Sequence, residues 1–226
     1  MHNIAYFQAR IGCILNNPVF NVNRQISYLY EVLRKSIHLS SLWMVVFIGV
    51  FPAVLNILLF SFLLFAICFI EYGNHKKWPL FAETYGRLFN RILREQETQE
   101  KFRFSGAPYV IAAALMVTIL FSDVVAMTAL STMLVGDTAA ALIGRKYGKR
   151  KINQNRKSVE GSLAFWITSF FILLFFGLLY SQPIWFYMYG ILGITAAMFA
   201  EIYENRIRID DNFSIPLVMG LFLSLA

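Results

Sequence analysis

The sequence predicts an all-α fold, a polytopic bundle of about seven transmembrane helices. Three observations predict it. Hydrophobic residues make up 58% of the chain, and the mean hydropathy of +0.58 lies well above that of ordinary soluble domains. Apolar runs recur at lengths near the roughly 20 residues that a helix needs to cross a bilayer core. The basic residues, finally, fall into groups separated by pairs of those runs.

Residues 1–36 are expected to form a cytoplasmic, interfacial amino-terminal segment, and residues 37–226 a membrane-embedded domain. The first thirty residues lack the ordered charged, apolar and cleavable regions of a removable signal peptide. Residues 4–15 (IAYFQARIGCIL) read instead as an amphipathic piece on the membrane surface. The stretch Ile37–Ile70 is too long for one span, and Pro52 near its middle disfavours an unbroken helix. Two short helices joined by a tight turn are therefore predicted there. Gly106–Ile143 supplies two more, broken near Ser122 and Asp123, followed by Leu163–Tyr180, Ile184–Tyr203 and a short last helix over Phe213–Ala226.

Charge checks this parity. Four Lys/Arg precede the first span, seven lie between Gly73 and Ser105, seven between Gly144 and Gly161, and two near Arg206, which accounts for all 20. With seven spans every group falls on one face, which the positive-inside rule makes cytoplasmic. The net charge of +7 is then a collar that orients the chain and attracts anionic lipid headgroups. Leu80, Phe81, Tyr85, Leu88, Phe89, Ile92 and Leu93 share one helical face opposite Arg87, Asn90, Arg91 and Arg94, the pattern of an interfacial helix. So apolar a chain is no nucleic-acid binder. Cys13 and Cys68 offer no disulfide or metal framework, and oligomeric state is not legible.

The most informative segment is residues 136–162, GDTAAALIGRKYGKRKINQNRKSVEGS. Asp137 sits within an apolar run, where a carboxylate marks a functional site or a wet pocket. Eight residues later begins a basic cluster of Arg145, Lys146, Lys149, Arg150, Lys151, Arg156 and Lys157. The glycine-punctuated loop does not match the strand-loop-helix pattern GxxxxGK[ST]. It can use similar physics, with Gly144 and Gly148 turning backbone amides toward an anion, Lys149, Arg150 and Lys157 supplying charge, Ser158 a hydroxyl, and Gly161 the turn into the next span. The predicted arrangement is a cytoplasmic nucleotide-binding loop. The plainer reading, a basic loop that enforces topology, leaves Asp137, Glu160 and the glycines unexplained.

These residues carry a family resemblance. Gly-Asp-Thr-Ala-Ala, then Gly-Arg-Lys-Tyr-Gly-Lys, then Lys-Ser-Val-Glu-Gly-Ser resembles the signature of the CTP-dependent lipid kinases: dolichol kinase, phytol and farnesol kinases and the CTP-using diacylglycerol kinase. Glu31, Arg34, Lys35 and His38 resemble that family's Arg-Lys-x-x-His element, and Glu201 followed by Asp210, Asp211, Asn212 and Pro216 its late acidic element. Taken singly, these have plainer readings as interfacial polar residues and a helix cap. Glu31 with Lys35, and Arg34 with His38, stand four apart and are predicted neighbours on a helix.

The resemblance implies transfer of the γ-phosphoryl group of CTP to the hydroxyl of a membrane lipid alcohol, either an isoprenoid alcohol or diacylglycerol. It implies Mg²⁺ at Asp137, with Glu160 completing the metal or ribose contacts. Lys149, Lys157 and Ser158 would hold the phosphates, with Gly144, Gly148 and Gly161 shaping the loop. Asp210 or Asp211 would orient the acceptor hydroxyl. Arg34, Lys35, His38, Glu201 and Asn212 would line the substrate site. The implied location is the cytoplasmic membrane of a prokaryote, or the endoplasmic reticulum or plastid membrane of a eukaryote, with the site facing the cytosol. Two alternatives stay open: a cytidylyltransferase that makes a CDP-lipid, and a small transporter with Asp137 and Glu201 as ion ligands. Charges gathered at one face argue against the transporter, which needs them near the midplane.

Overall fold

The computed structural model describes residues 28–76, 78, 104–152, 157–204 and 209–226. The readings of residues 4–15, of the 80–93 helix and of Arg156 lie outside them. Helix α1 (Tyr28–Ser40) turns at Ser41 and Leu42 into α2 (Trp43–Val50), and Glu31–Val50 makes one apolar path of 20 residues. Pro52 ends it, as expected. Its ring removes an amide donor and forces the preceding residue out of the helical region, with Phe51 at φ −106° and ψ 150°. Asn56, buried nearby, donates to the carbonyl oxygen of Phe51 (2.9 Å) and to that of Phe47 (3.2 Å), which also accepts from the Phe51 N–H, so the broken helix end is satisfied inside hydrocarbon.

Helix α3 (Ala53–His75) then returns. Neither arm is short. The stretch expected to run from Ile37 to Ile70 extends outward at both ends because the polar residues there are buried with partners. Lys35 pairs with Asp137, Glu31 with Arg34, and Glu71 accepts from the backbone N–H and hydroxyl of Ser105. Ser105 in turn caps α4 (Gly106–Leu120), accepting from the N–H of Ala107 at 3.3 Å.

After the expected break at Ser122 comes the central rod of the bundle: α5 (Asp123–Ser131), a π-helical turn (Thr132–Gly136) and α6 (Asp137–Tyr147). Its most apolar stretch is 78% buried, against 11% to 39% for the other four candidate spans, so the remaining helices pack around this one. They include α7 (Val159–Leu179), α8 (Ile184–Ile202) and α9 (Asp211–Leu223), with α6 against α7, α8 against α9 and α2 against α5. Small residues allow close approach, as membrane interfaces require. A Cβ on Gly136 would come within 2.8 Å of the Ser169 hydroxyl, and one on Gly193 within 3.1 Å of the Met219 sulfur.

Among the described residues, five helices are long and apolar enough to cross a membrane, and α4 and α9 are shorter apolar helices. Together they occupy the seven predicted segments. The all-α expectation needs one small addition, the antiparallel pair β1 (Lys151–Ile152) and β2 (Lys157–Ser158), which closes the basic loop with Lys151 opposite Ser158.

Candidate active site

The alternating helices bring the motif residues to one end of the bundle. On α1, Lys35 forms a buried ion pair with Asp137, the first residue of α6. The two side chains are 4% and 6% exposed, so each charge relies on the other for its solvation. His38, one turn further along α1, places Nε2 3.7 Å from the same Asp137 oxygen, and that nitrogen has no hydrogen-bond partner among the described residues. Glu31 completes the α1 contribution, accepting from Arg34 at 2.5 Å and from Arg145 at 3.3 Å. Of the neighbours read from four-residue spacing, Glu31 keeps a local partner in Arg34, while Lys35 takes a long-range one. Asp137, deep in the central helix, takes Lys35, and Glu31 reaches Arg145 one helix away.

A second group joins the basic loop to the late acidic element. The Lys157 ammonium stands 2.5 Å from Glu201, 3.5 Å from Asp211 and 3.8 Å from Glu204. Burial disfavours its charge, but Asp211, Glu201 and Asp137 outweigh that and hold its pKa well above the ordinary lysine value. The other oxygen of Glu201 is buried without a partner. Asp210 caps α9, its Oδ1 accepting from the backbone N–H (3.1 Å) and side-chain amide (2.7 Å) of Asn212. The capping role of Asp210 is thus realised, with Asn212 as its partner. Asp211 turns instead to Lys157.

Several of the expected site residues have structural partners in the bundle. The N–H of Gly148, read as free to face an anion, donates to the Gly144 carbonyl (3.2 Å), while Gly161, read as the turn into the next span, donates its N–H to the Ser158 hydroxyl (3.1 Å) at the start of α7. Gly144 and Gly161 serve packing, because a Cβ on Gly161 would lie 2.8 Å from the Ala140 carbonyl oxygen and 3.1 Å from Gly144 Cα. Ser158 is 3% exposed and caps α7, so its hydroxyl is spent on structure. Asp137 and Glu160, expected to share a metal, have separate partners. Glu160 accepts from the Arg150 N–H at 3.2 Å and 3.3 Å and pins the loop to the start of α7, while Asp137 is occupied by Lys35. A divalent ion does not fit that pair as it stands.

Lys149 is exposed at the loop's start, where it can meet a solvent-borne anion. Glu204 and Glu71 are structural participants that the sequence reading did not single out, and Arg145, read only as part of the basic cluster, is the partner of Glu31. For Glu204 a signal existed, since Glu201 and Glu204 stand three apart at the end of an apolar run and so share a helical face.

This is an all-α integral membrane protein whose buried ion pairs tie three separate polar motifs together at one end of the bundle. Over 197 residues, 86% of the chain, it is 30% identical to an uncharacterized protein of Methanocaldococcus jannaschii, covering 93% of that relative. It is 30% identical over 182 residues to CTP-dependent diacylglycerol kinase 1 of Saccharomyces cerevisiae, a match covering 71% of this chain and 60% of the yeast protein. It is also 32% identical over 144 residues to a probable chloroplastic phytol kinase of Zea mays, covering 59% of this chain and 47% of that one. The chain belongs to the CTP-dependent lipid kinase family. It spans about half to two thirds of the length of these two named kinases. No protein-family model and no solved structure matches it.

Proposed function

We propose that the protein transfers the γ-phosphoryl group of CTP to the hydroxyl of a membrane lipid alcohol. The observation that carries the reading is the pair of bridges Lys35–Asp137 and Lys157–Glu201, which join the first, central and late motifs at one end of an apolar bundle. Relatives named as diacylglycerol, phytol and dolichol kinases support the same class of acceptor, a long apolar chain ending in a hydroxyl. CTP as donor rests on the family and on the name of the yeast relative. The local side chains do not themselves distinguish cytosine from adenine.

Phosphoryl transfer depends mainly on positioning and charge neutralisation. The acceptor oxygen bonds to the γ-phosphorus, the bond from that phosphorus to the β–γ bridging oxygen breaks, CDP leaves, and the hydroxyl proton passes to a base. In this reading Lys149 and Lys157 meet the nucleotide phosphates from the aqueous side. Asp137, held by Lys35 and His38, faces the acceptor hydroxyl from within the bundle. The lipid tail remains in the bilayer, among apolar side chains that α3 and α7 leave exposed, such as Phe62, Phe65, Phe171 and Phe175. An isoprenoid alcohol is the favoured acceptor and diacylglycerol the next. By the positive-inside rule this end of the bundle faces the cytosol.

The test is a product assay on purified protein in lipid, with γ-labelled CTP, a divalent metal and a panel of lipid alcohols. Label in a lipid monophosphate supports the reading. Label from α-labelled CTP in a CDP-lipid would replace it with cytidylyl transfer.

A further inference from the structure

Arg34 and Arg145 converge on one carboxylate. Glu31 accepts from Arg34 Nη2 through Oε1 at 2.5 Å and from Arg145 Nη1 through Oε2 at 3.3 Å. Arg34 comes from α1 and Arg145 from the last turn of α6, two helices that pack together. The plain reading of Arg145 is a cation that marks the cytoplasmic face and suits a helix C-terminus. That accounts for its charge, but not for its turning inward to share a carboxylate with a second arginine.

Two observations point to a missing anion. The first is charge. Two guanidinium groups meet one carboxylate among side chains only 25%, 23% and 8% exposed. Arginine keeps its proton, so the surplus positive charge cannot be relieved by deprotonation. Asp137 is taken by Lys35, and Lys146 and Lys149, both exposed on the following turns, add charge of the same sign. The second observation is Arg34 Nε, which is buried and has no hydrogen-bond partner among the described residues. A buried donor left unpaired is costly. Arginine uses such donors to hold a carboxylate or a phosphate by paired, charge-assisted bonds.

Phosphate fits this place. Its oxygens can bridge two guanidinium groups much as the oxygens of Glu31 do, and a phosphate monoester carries about −1.5 to −2 near neutral pH, enough to balance both arginines. Arg145 stands eight residues beyond Asp137 on α6, roughly 12 Å along the helix, where the basic loop begins. Both arginine side chains are open enough to be met from the water or from the headgroup layer. We propose that Arg34 and Arg145 form a phosphate clamp, with Glu31 holding the two guanidinium groups in line until a phosphate takes its place or joins it. The ligand is a terminal phosphate or diphosphate group, borne by a soluble molecule or by a lipid. Assigning it to a substrate or product of this enzyme rests on the phosphoryl-transfer reading. The clamp itself does not.

The experiment is calorimetric titration of the full chain in neutral-lipid nanodiscs, with pyrophosphate in one arm and a short-chain phosphatidic acid in the other. Metal, nucleotide and lipid alcohol are left out, and empty nanodiscs serve as the blank. At least one probe is expected to bind saturably, and R34Q/R145Q to weaken it about tenfold or more, the loss of one or two charge-assisted bonds. In E31Q, where the competing carboxylate is gone, binding should tighten severalfold, a gain that misfolding cannot mimic. That gain should vanish in E31Q/R34Q/R145Q. Binding of pyrophosphate alone makes the source soluble, binding of phosphatidic acid alone makes it a lipid, and binding of both makes the clamp general for phosphate. No saturable binding of either probe, unchanged binding in R34Q/R145Q, or no tightening in E31Q would each overturn the clamp. Labelled CTP and lipid alcohols are assayed on the same wild-type preparation. Label in lipid without arginine-dependent binding sinks the clamp and spares the kinase reading, whereas arginine-dependent binding without label does the reverse.

Discussion

The ammonium of Lys157, on the return strand of the basic loop, stands 2.5 Å from the carboxylate of Glu201 at the end of α8, 44 residues along the chain. This bridge holds the loop against the last two helices. Replacing Lys157 with alanine removes both the phosphate partner of the proposed function and the counter-ion of a buried carboxylate. The expected result is a rise of about tenfold or more in the CTP concentration needed for half-maximal rate, with a stability loss of about 2–3 kcal/mol. The K157M/E201Q double variant should recover part of that stability and none of the nucleotide affinity. Thermal melts in detergent and a CTP titration separate the two effects.

Asp137→Asn is expected to abolish turnover while the protein still inserts and purifies as a folded species. It strands Lys35, which is 3% exposed. The K35M/D137N pair should therefore be more stable than D137N alone and equally inactive. A product assay beside a melting curve reads both. Activity retained in D137N would remove Asp137 from the chemistry.

Lys157 also makes a pH prediction. Its folded pKa is raised above the ordinary value of 10.5, so its stabilising contribution is complete below that unfolded value and is lost only as pH rises through the folded one. Between pH 6 and 9 (a window chosen to lie below about 10.4, the free lysine value), Lys157 should stay charged. Thermal stability should then owe no slope to this group. A titration step in that range that disappears in K157M would contradict the pairing.

The helices carrying the site were legible in the sequence because hydropathy and proline placement are local signals. Apolar runs, the break at Pro52 and the break at Ser122 needed no knowledge of the fold. The motif residues were legible too, as polar groups where hydrocarbon should make them costly. Their partners were not. Spacing on one helix made Glu31 and Lys35, and Arg34 and His38, neighbours, yet Lys35 serves Asp137, 102 residues away, because a buried carboxylate on the central helix has the greater need of a cation. The glycines are harder to read for a related reason. A glycine that frees an amide and a glycine that lets two helices touch look alike in one sequence, and only the 3.2 Å approach of a Cβ on Gly144 to Gly161 Cα shows that Gly144 does the second.

That approach is testable. A Cβ on Gly161 would meet a backbone carbonyl oxygen at 2.8 Å, an obstacle that cannot rotate away. Gly161→Ala should cost about 1–3 kcal/mol, and Gly161→Leu more, by prising α7 from α6. Because α7 follows directly from the strand that holds Lys157 and α6 begins with Asp137, catalytic rate should fall alongside the melting temperature. A fully stable, fully active Gly161→Leu protein would refute the tight crossing.

The π-helical turn at Thr132–Gly136 has a consequence of another kind. Such a turn holds one residue more than the α-helix around it, and each residue advances a helix by about 100°. Asp137 therefore owes its compass bearing to a single surplus peptide unit. Deleting one residue from this turn would preserve the charge, the hydropathy and very nearly the length of the span. It would also rotate the carboxylate about a quarter of a revolution, away from Lys35 and His38. The enzyme would keep every functional side chain and lose their alignment, a defect of phase that no single-residue replacement scan would reveal.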